Sequence, residues 1–242
     1  MPSETHPTTA SHFAAVLWDF DGTLVDTELR WAEAEMAILA SHGVKWEPER
    51  AKEFTGGPLI DICKAMTADM GGSLTVDEVR HELITMVSRF NREREVPWRP
   101  GVLDLLTEMR EAGIPMAIVT GSAHAVVEPV LAAMTERIGN PFGTVVTFDD
   151  VTPETAKPAP DPYLLAAERL GVSITDCLAI EDSPQGATSA TVAGAAVLTV
   201  TGLAEVGPGP RRVHRSDLSG VSLADVVSLW HLADEPATPV AN

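Results

Sequence analysis

Residues 13–23 read Phe-Ala-Ala-Val-Leu-Trp-Asp-Phe-Asp-Gly-Thr, an apolar run that ends at two aspartates and an Asp-Gly turn signal. From Ala14 to Trp18 the run is apolar throughout and does not alternate, the pattern of a strand covered on both faces in a parallel sheet. Runs of the same kind recur at Pro115–Val119, Thr144–Phe148, Cys177–Ile180 and Ala195–Val200. Amphipathic segments lie between the later ones: Val102–Ala112, Tyr163–Leu170 and Ser183–Ala193. Each is followed by a glycine (Gly113, Gly171, Gly194) where a helix terminus favours one. This alternation predicts an α/β fold with a Rossmann-like, doubly wound parallel sheet as its core.

Between residues 27 and 97 the rhythm changes to helical patterning alone. Thr27–Ala40, Pro58–Met70 and Val76–Phe90 each repeat apolar residues at helical spacing, and Gly71-Gly72 separates the last two. Val96-Pro97-Trp98-Arg99-Pro100 closes the interval with two prolines that discourage further helix. An insertion of this kind after the first strand predicts a small α-helical cap domain over 27–97, carried by a core domain of residues 13–26 and 98–232. The ends, 1–12 and 233–242, are rich in Pro, Thr, Ser and Ala and predict flexible tails.

The 242 residues carry 17 Lys+Arg against 35 Asp+Glu, a formal charge of −18, so nucleic acid and anionic membrane are poor partners. The basic cluster Arg211-Arg212-Val213-His214-Arg215 is short, follows a Gly/Pro loop and is expected to be a solvated loop face. No apolar stretch approaches the roughly 18 residues of a membrane span, and no secretory leader is visible. Two cysteines, Cys63 and Cys177, without metal-ligand spacing, fit reduced thiols and a cytoplasmic location.

Four polar clusters follow strand runs, at the carboxyl ends where open α/β sheets bind ligands. Asp19 and Asp21 form a carboxylate pair; a turn at Asp21-Gly22 lets both converge on one small ligand, though they could also simply mark the strand's exit. Thr120-Gly121-Ser122 offers hydroxyls and close backbone N–H groups suited to anionic oxygens, although the tripeptide is common in loops. Lys157 stands in the stiff Ala156-Lys157-Pro158-Ala159-Pro160 loop. Glu181-Asp182 is a second acidic pair, with Ser183 placed to cap a helix. Hard oxygen donors beside a phosphate cradle suit Mg²⁺, and the lysine balances phosphate charge.

In this order, Asp19-x-Asp21-Gly-Thr, Thr120, Lys157-Pro158 and Glu181-Asp182 resemble the motifs of the haloacid dehalogenase superfamily. The resemblance spans about residues 13–232, and Lys157–Ala167 with Glu181–Gly194 is similar to its branch of β-phosphoglucomutases and sugar-phosphate phosphatases. It implies that Asp19 attacks phosphorus to form an aspartyl-phosphate and that Asp21 acts as general acid and base. It also implies that Thr120 and the amides of Gly121 and Ser122 hold phosphoryl oxygens, with Lys157 neutralising charge. Mg²⁺ is then expected on the Asp19 carboxylate, the Asp21 carbonyl and Asp182, with Glu181 either a ligand or one step removed.

The second aspartate, Asp21, points to phosphoryl transfer and away from carbon–halogen cleavage, because the family's dehalogenases lack it. The β-phosphoglucomutases carry a histidine at the position of Trp31 and an arginine in the loop Gly56-Gly57-Pro58-Leu59; neither is present here. Transfer to water is therefore expected in preference to a phosphohexomutase, with a small phosphorylated metabolite as substrate. A non-catalytic binding protein of the same fold would be expected to lack Asp19, Asp21 or Lys157, and all three are present. Gly56 and Gly57 are expected either to reach over the site or to form a plain interhelical turn. Trp31 is expected to face the cleft, while the tryptophans as a group read mainly as core. His124, two residues past Ser122, is expected either to touch substrate or, in preference, to be a solvated helix start.

Overall fold

The computed structural model describes residues 13–54 and 57–234. Residues 1–12, 55–56 (with Gly56) and 235–242 lie outside them, and with them most of the expected tails. Strand β1 (Ala15–Trp18) leads into four helices, α1 (Glu28–Ser41), α2 (Pro48–Lys52), α3 (Leu59–Asp69) and α4 (Val76–Glu93). Then come α5 (Val102–Glu111), β2 (Met116–Val119), α6 (His124–Ile138), β3 (Thr144–Val146) and α7 (Asp161–Leu170). The chain ends with β4 (Cys177–Glu181), α8 (Pro184–Ala193), β5 (Ala196–Thr199), β6 (Arg212–His214) and α9 (Leu223–Asp234).

The strands form one parallel sheet in the order β3-β2-β1-β4-β5-β6. Alternate residues of each strand face opposite layers. Val16, Trp18, Ile118, Leu178, Ile180 and Leu198 enter the larger core, shared with α5, α6 and α9. Ala15, Leu17, Ala117, Val119, Ala179 and Val197 pack against α7 and α8. That second layer is built on small residues, Ala166, Ala167, Ala187 and Ala190, which bring helix and sheet close together. Because β2 and β4 flank β1, connections leave the sheet in opposite directions there, opening a crevice at the carboxyl ends of β1 and β4.

The two linkers of the helical block run side by side. Val25 bridges Trp98 antiparallel, Asp26 N–H donates to the Pro97 carbonyl at 2.8 Å, and Arg99 N–H donates to the Leu24 carbonyl at 3.0 Å. A buried polar chain joins the block to the core. Arg30 donates to Asn91 Oδ1 at 2.7 Å, and Asn91 Nδ2 donates to the Val126 carbonyl of α6 at 2.9 Å.

Several boundaries differ from the expectations. The basic cluster at 211–215 is not a solvated loop face: Arg212–His214 pairs with β5 as the edge strand β6. Arg211 donates to the Gly194 and Thr175 carbonyls, and Arg212 to Thr191 Oγ1 and the Ala187 carbonyl. The guanidinium groups tie the strand to α8 and to the turns at Thr175 and Gly194, so a charged run reads as solvated although it is half-buried. β3 stops at Val146, and Phe148–Asp150 turns as a short 3₁₀ helix whose Thr147 cap competes with the ladder. Helix α9 reaches Asp234 with Ala233 buried, two residues into the expected tail. Gly101, at φ +79°, caps α5, and a Cβ there would stand 1.9 Å from the Leu218 carbonyl oxygen. Gly101→Ala is therefore expected to cost about 3 kcal/mol, from the left-handed backbone and the clash together. Urea unfolding checks this; an unchanged midpoint would contradict the packing described.

Candidate functional site

The centre of the site is an ammonium at three strand ends. Lys157 Nζ donates to Asp19 Oδ1 at 2.7 Å, to the Val119 carbonyl at 2.8 Å and to Glu181 Oε1 at 2.6 Å. These acceptors follow or end β1, β2 and β4. Lys157 is buried with both carboxylates. Burial alone would lower its pKa, but Asp19 and Glu181 more than reverse that and hold the ammonium charged.

Glu181 is fully buried and its oxygens are all committed. Oε1 also accepts from the Tyr163 hydroxyl at 2.7 Å, and Oε2 from Asp182 N–H, Ser183 N–H and the Ser183 hydroxyl. Burial and the Glu181 charge hold the Tyr163 phenol well above its ordinary range, so it stays a donor. Gly186 makes room for this carboxylate: a Cβ there would lie 1.7 Å from Oε1. Ser183 caps α8, accepting from Gly186 N–H at 3.0 Å, as its position suggested.

Asp182 lies between two glycines. A Cβ on Gly22 or Gly202 would come within 2.0 or 2.3 Å of its Oδ2, and Thr23 Oγ1 donates to Oδ1 at 3.3 Å. Asp19, Glu181 and Asp182 each bring an oxygen within 4.8 Å of the others, a donor set of hard ligands that could hold a divalent cation. Three buried carboxylates face one ammonium here. Burial, with the Glu181 charge adding to it, raises Asp19 well above its ordinary range and pushes Asp182 up to about 7. A dication would relieve that excess of negative charge, and the two glycines leave the space that the Asp182 carboxylate occupies. Glu181, already saturated, holds Lys157.

Asp21 stands outside that cluster. Its Oδ2 accepts from the Ser122 hydroxyl at 2.6 Å and its Oδ1 from Trp31 Nε1 at 3.3 Å and from the Thr27 hydroxyl. Trp31 thus meets the site, while Trp18, Trp46 and Trp230 are core. Ser122 N–H donates to Thr120 Oγ1 at 2.9 Å, closing the turn after β2. Gly121 is exposed with open space where a Cβ would stand, so its contribution is its backbone. Gly57 is exposed, and its N–H donates to the Phe54 carbonyl at 3.0 Å. His124 starts α6, its N–H on Asp149.

Reading the sequence did not single out Tyr163, Gly186, Gly202 or Glu35. The chain's sole tyrosine, one helical turn after the Lys157 loop, was the available signal for the first. Glu35, one turn beyond Trp31 on α1, is half-buried and has no hydrogen-bond or ion-pair partner among the described residues. Burial pushes it up to about 7.

Gly186→Ala is expected to displace Glu181 from Lys157 and Tyr163 and to cost about 3 kcal/mol, as breaking a buried ion pair does. A thermal unfolding curve that overlays the parent would refute the crowding. For Glu35 the sign is set by its raised pKa: the folded state holds that proton to higher pH than the unfolded chain, so stability falls as pH rises from about 4 to about 7. Glu35→Gln is expected to gain about 2 kcal/mol over the parent near pH 8 and little near pH 4. Urea titrations at the two pH values that gave equal differences would count against it.

The haloacid dehalogenase-like hydrolase family matches residues 16–200. The protein CbbY encoded on a plasmid of Cupriavidus necator is 34% identical over 193 residues, covering 74% of this chain and 75% of that one. Hexitol phosphatase A of Escherichia coli is 32% identical over 192 residues, covering 78% and 83%. The crystal structure of a CbbY variant from Rhodobacter sphaeroides in complex with xylulose-(1,5)bisphosphate superposes with a TM-score of 0.75 at 26% identity, covering 88% of this chain and 98% of that one. With the ordered motifs of the sequence gathered at one end of a six-stranded parallel sheet, the chain belongs to the haloacid dehalogenase-like hydrolases and is an enzyme of that family.

Proposed function

We propose that the protein is a Mg²⁺-dependent phosphatase that hydrolyses a small phosphate monoester, a sugar or polyol phosphate, through an aspartyl-phosphate. The observation that carries this reading is the Lys157 ammonium bonded at once to Asp19 and Glu181 at the crevice of the sheet. A carboxylate so held leaves its second oxygen to attack phosphorus while the lysine offsets charge on the phosphoryl oxygens. Bound at Asp19, Asp182 and the Asp21 carbonyl, Mg²⁺ would supply further positive charge for those oxygens.

In the first step an Asp19 oxygen bonds to phosphorus, the phosphorus–ester oxygen bond breaks, and the departing alkoxide takes a proton from Asp21. In the second, Asp21 takes a proton from water, whose oxygen bonds to phosphorus as the aspartyl oxygen leaves. Inorganic phosphate and free Asp19 result. The Thr120 hydroxyl and the amides of the Gly121-Ser122 turn receive the phosphoryl oxygens. Asp21, held by Ser122, Trp31 and Thr27, must swing toward the substrate. Residues 27–97 act as a cap turning on the paired linkers at Val25 and Trp98, closing over the substrate and excluding water during the first step. Trp31, where a mutase would present histidine, and a loop over 56–59 without the mutase arginine favour water as the acceptor. The two buried free cysteines accord with a reducing, cytoplasmic setting.

A panel of sugar and polyol monophosphates, assayed with Mg²⁺ for free phosphate, tests the reading. Turnover is expected to vanish on chelation, to return with Mg²⁺, and to fall at least about 10³-fold in Asp19→Asn. Isomerised sugar phosphate without phosphate release, or undiminished turnover in Asp19→Asn, would overturn it.

A further inference from the structure

We propose that Tyr163 is a positioning residue of this site: its hydroxyl keeps Glu181 on Lys157 and out of the cation's ligand set, and so favours Mg²⁺ over Ca²⁺. This role rests on the phosphatase reading above and deepens its metal requirement.

Three carboxylates compete for one cation. Asp19, Glu181 and Asp182 each bring an oxygen within 4.8 Å of the others, so proximity alone does not separate ligand from bystander. Hydrogen bonding does. A carboxylate offers about four lone-pair sites, roughly two on each oxygen. On Glu181, Oε1 accepts from Lys157 Nζ at 2.6 Å and from the Tyr163 hydroxyl at 2.7 Å. Oε2 accepts from the amides of Asp182 and Ser183 and from the Ser183 hydroxyl. Without the Ser183 hydroxyl, Oε2 would still meet both amides. Without the Tyr163 hydroxyl, Oε1 would have a lone pair open beside the ammonium it shares with Asp19.

The placement of Tyr163 is rigid. It lies in the first turn of α7, after a loop stiffened by Pro158 and Pro160, and is fully buried. Its ring centre is 5.1 Å from Lys157 Nζ, and among the described residues its hydroxyl bonds to Glu181 alone, so one side chain touches both members of the ion pair. A phenylalanine would fill the same space, and a buried hydroxyl is tolerable there only through that bond. With Glu181 retained by the lysine, Asp19 and Asp182 are the carboxylates left for the cation. Two carboxylates with a carbonyl suit Mg²⁺, which keeps several waters in a strict octahedron. Ca²⁺ takes more oxygens, about six to eight in flexible geometry, and gains more from a third carboxylate.

The experiment titrates Mg²⁺ and Ca²⁺ calorimetrically into the substrate-free parent, Tyr163→Phe and Ser183→Ala, with thermal unfolding confirming that each is folded. Tyr163→Phe is expected to bind Ca²⁺ about tenfold tighter than the parent while its Mg²⁺ affinity moves less than about threefold. Ca²⁺ is then expected to inhibit its Mg²⁺-supported phosphate release at about tenfold lower concentration. Ser183→Ala, which weakens the cap of α8 without opening Oε1, is expected to unfold at lower temperature with an unchanged metal preference. A preference unmoved in folded Tyr163→Phe overturns the proposal, as does an equal shift in Ser183→Ala. NMR of the parent, whose sole tyrosine can be labelled selectively, gives a test independent of any variant. The bonded hydroxyl proton is expected to stay slowly exchanging once Mg²⁺ is bound, and its loss on adding Mg²⁺ would overturn the proposal. If Mg²⁺ binds and supports turnover but the preference does not move, this inference alone fails. If neither metal binds the parent and no monoester is hydrolysed, the phosphatase reading fails with it.

Discussion

The Lys157 ammonium is the point on which the site depends. Each of its three protons has an acceptor, at Asp19, the Val119 carbonyl and Glu181, so one cation fixes the relative positions of three strand ends. Burying a charge of this kind is tolerable only with complete pairing. Glu181 completes it, and is itself held by Tyr163, Ser183 and the start of α8. Glu181, which the sequence left as either a metal ligand or one step removed, thus serves the lysine. Asp19 and Asp182 are left with negative charge that the protein alone does not neutralise.

The sheet makes this arrangement possible. Its switch in strand order at β1 and β4 opens the crevice, and the alanine-rich layer under α7 and α8 keeps Lys157 and Tyr163 close to Glu181. On the opposite side, the helical block enters between β1 and α5, so its linkers leave the chain beside Asp21. The same geometry lets Thr27 and Trp31 of the block donate to Asp21 of the core. The Arg30–Asn91–Val126 chain ties the block to α6 through buried polar contacts, set beside apolar residues of block and core that share one cluster.

Much of the fold was legible because burial leaves a local trace. Strands covered on both faces are apolar at consecutive positions, and Ala15–Trp18, Met116–Val119 and residues 177–180 of β4 show it. β6 shows nothing of the sort, since an edge strand of three residues whose one arginine is tied to α8 carries no apolar run. Asp19, Thr120, Lys157 and Asp182 were legible as polar residues following such runs. Glu35 was not, because a glutamate on a helix exposed by periodicity looks like any solvated one.

The amino-acid sequence alone determined the α/β class, the helical insertion and the residues that end each strand, since these follow from nearest-neighbour patterns of polarity and from turn chemistry. Which of those residues meet was decided by tertiary structure. The Asp19–Lys157 contact spans 138 positions in the chain, and Ser122 meets Asp21 across 101. Such pairings depend on strand order and register, which local periodicity does not encode. The division of labour between Glu181 and Asp182, adjacent in the chain, was settled likewise by space: Gly186 admits one carboxylate to the lysine, while Gly22 and Gly202 cradle the other.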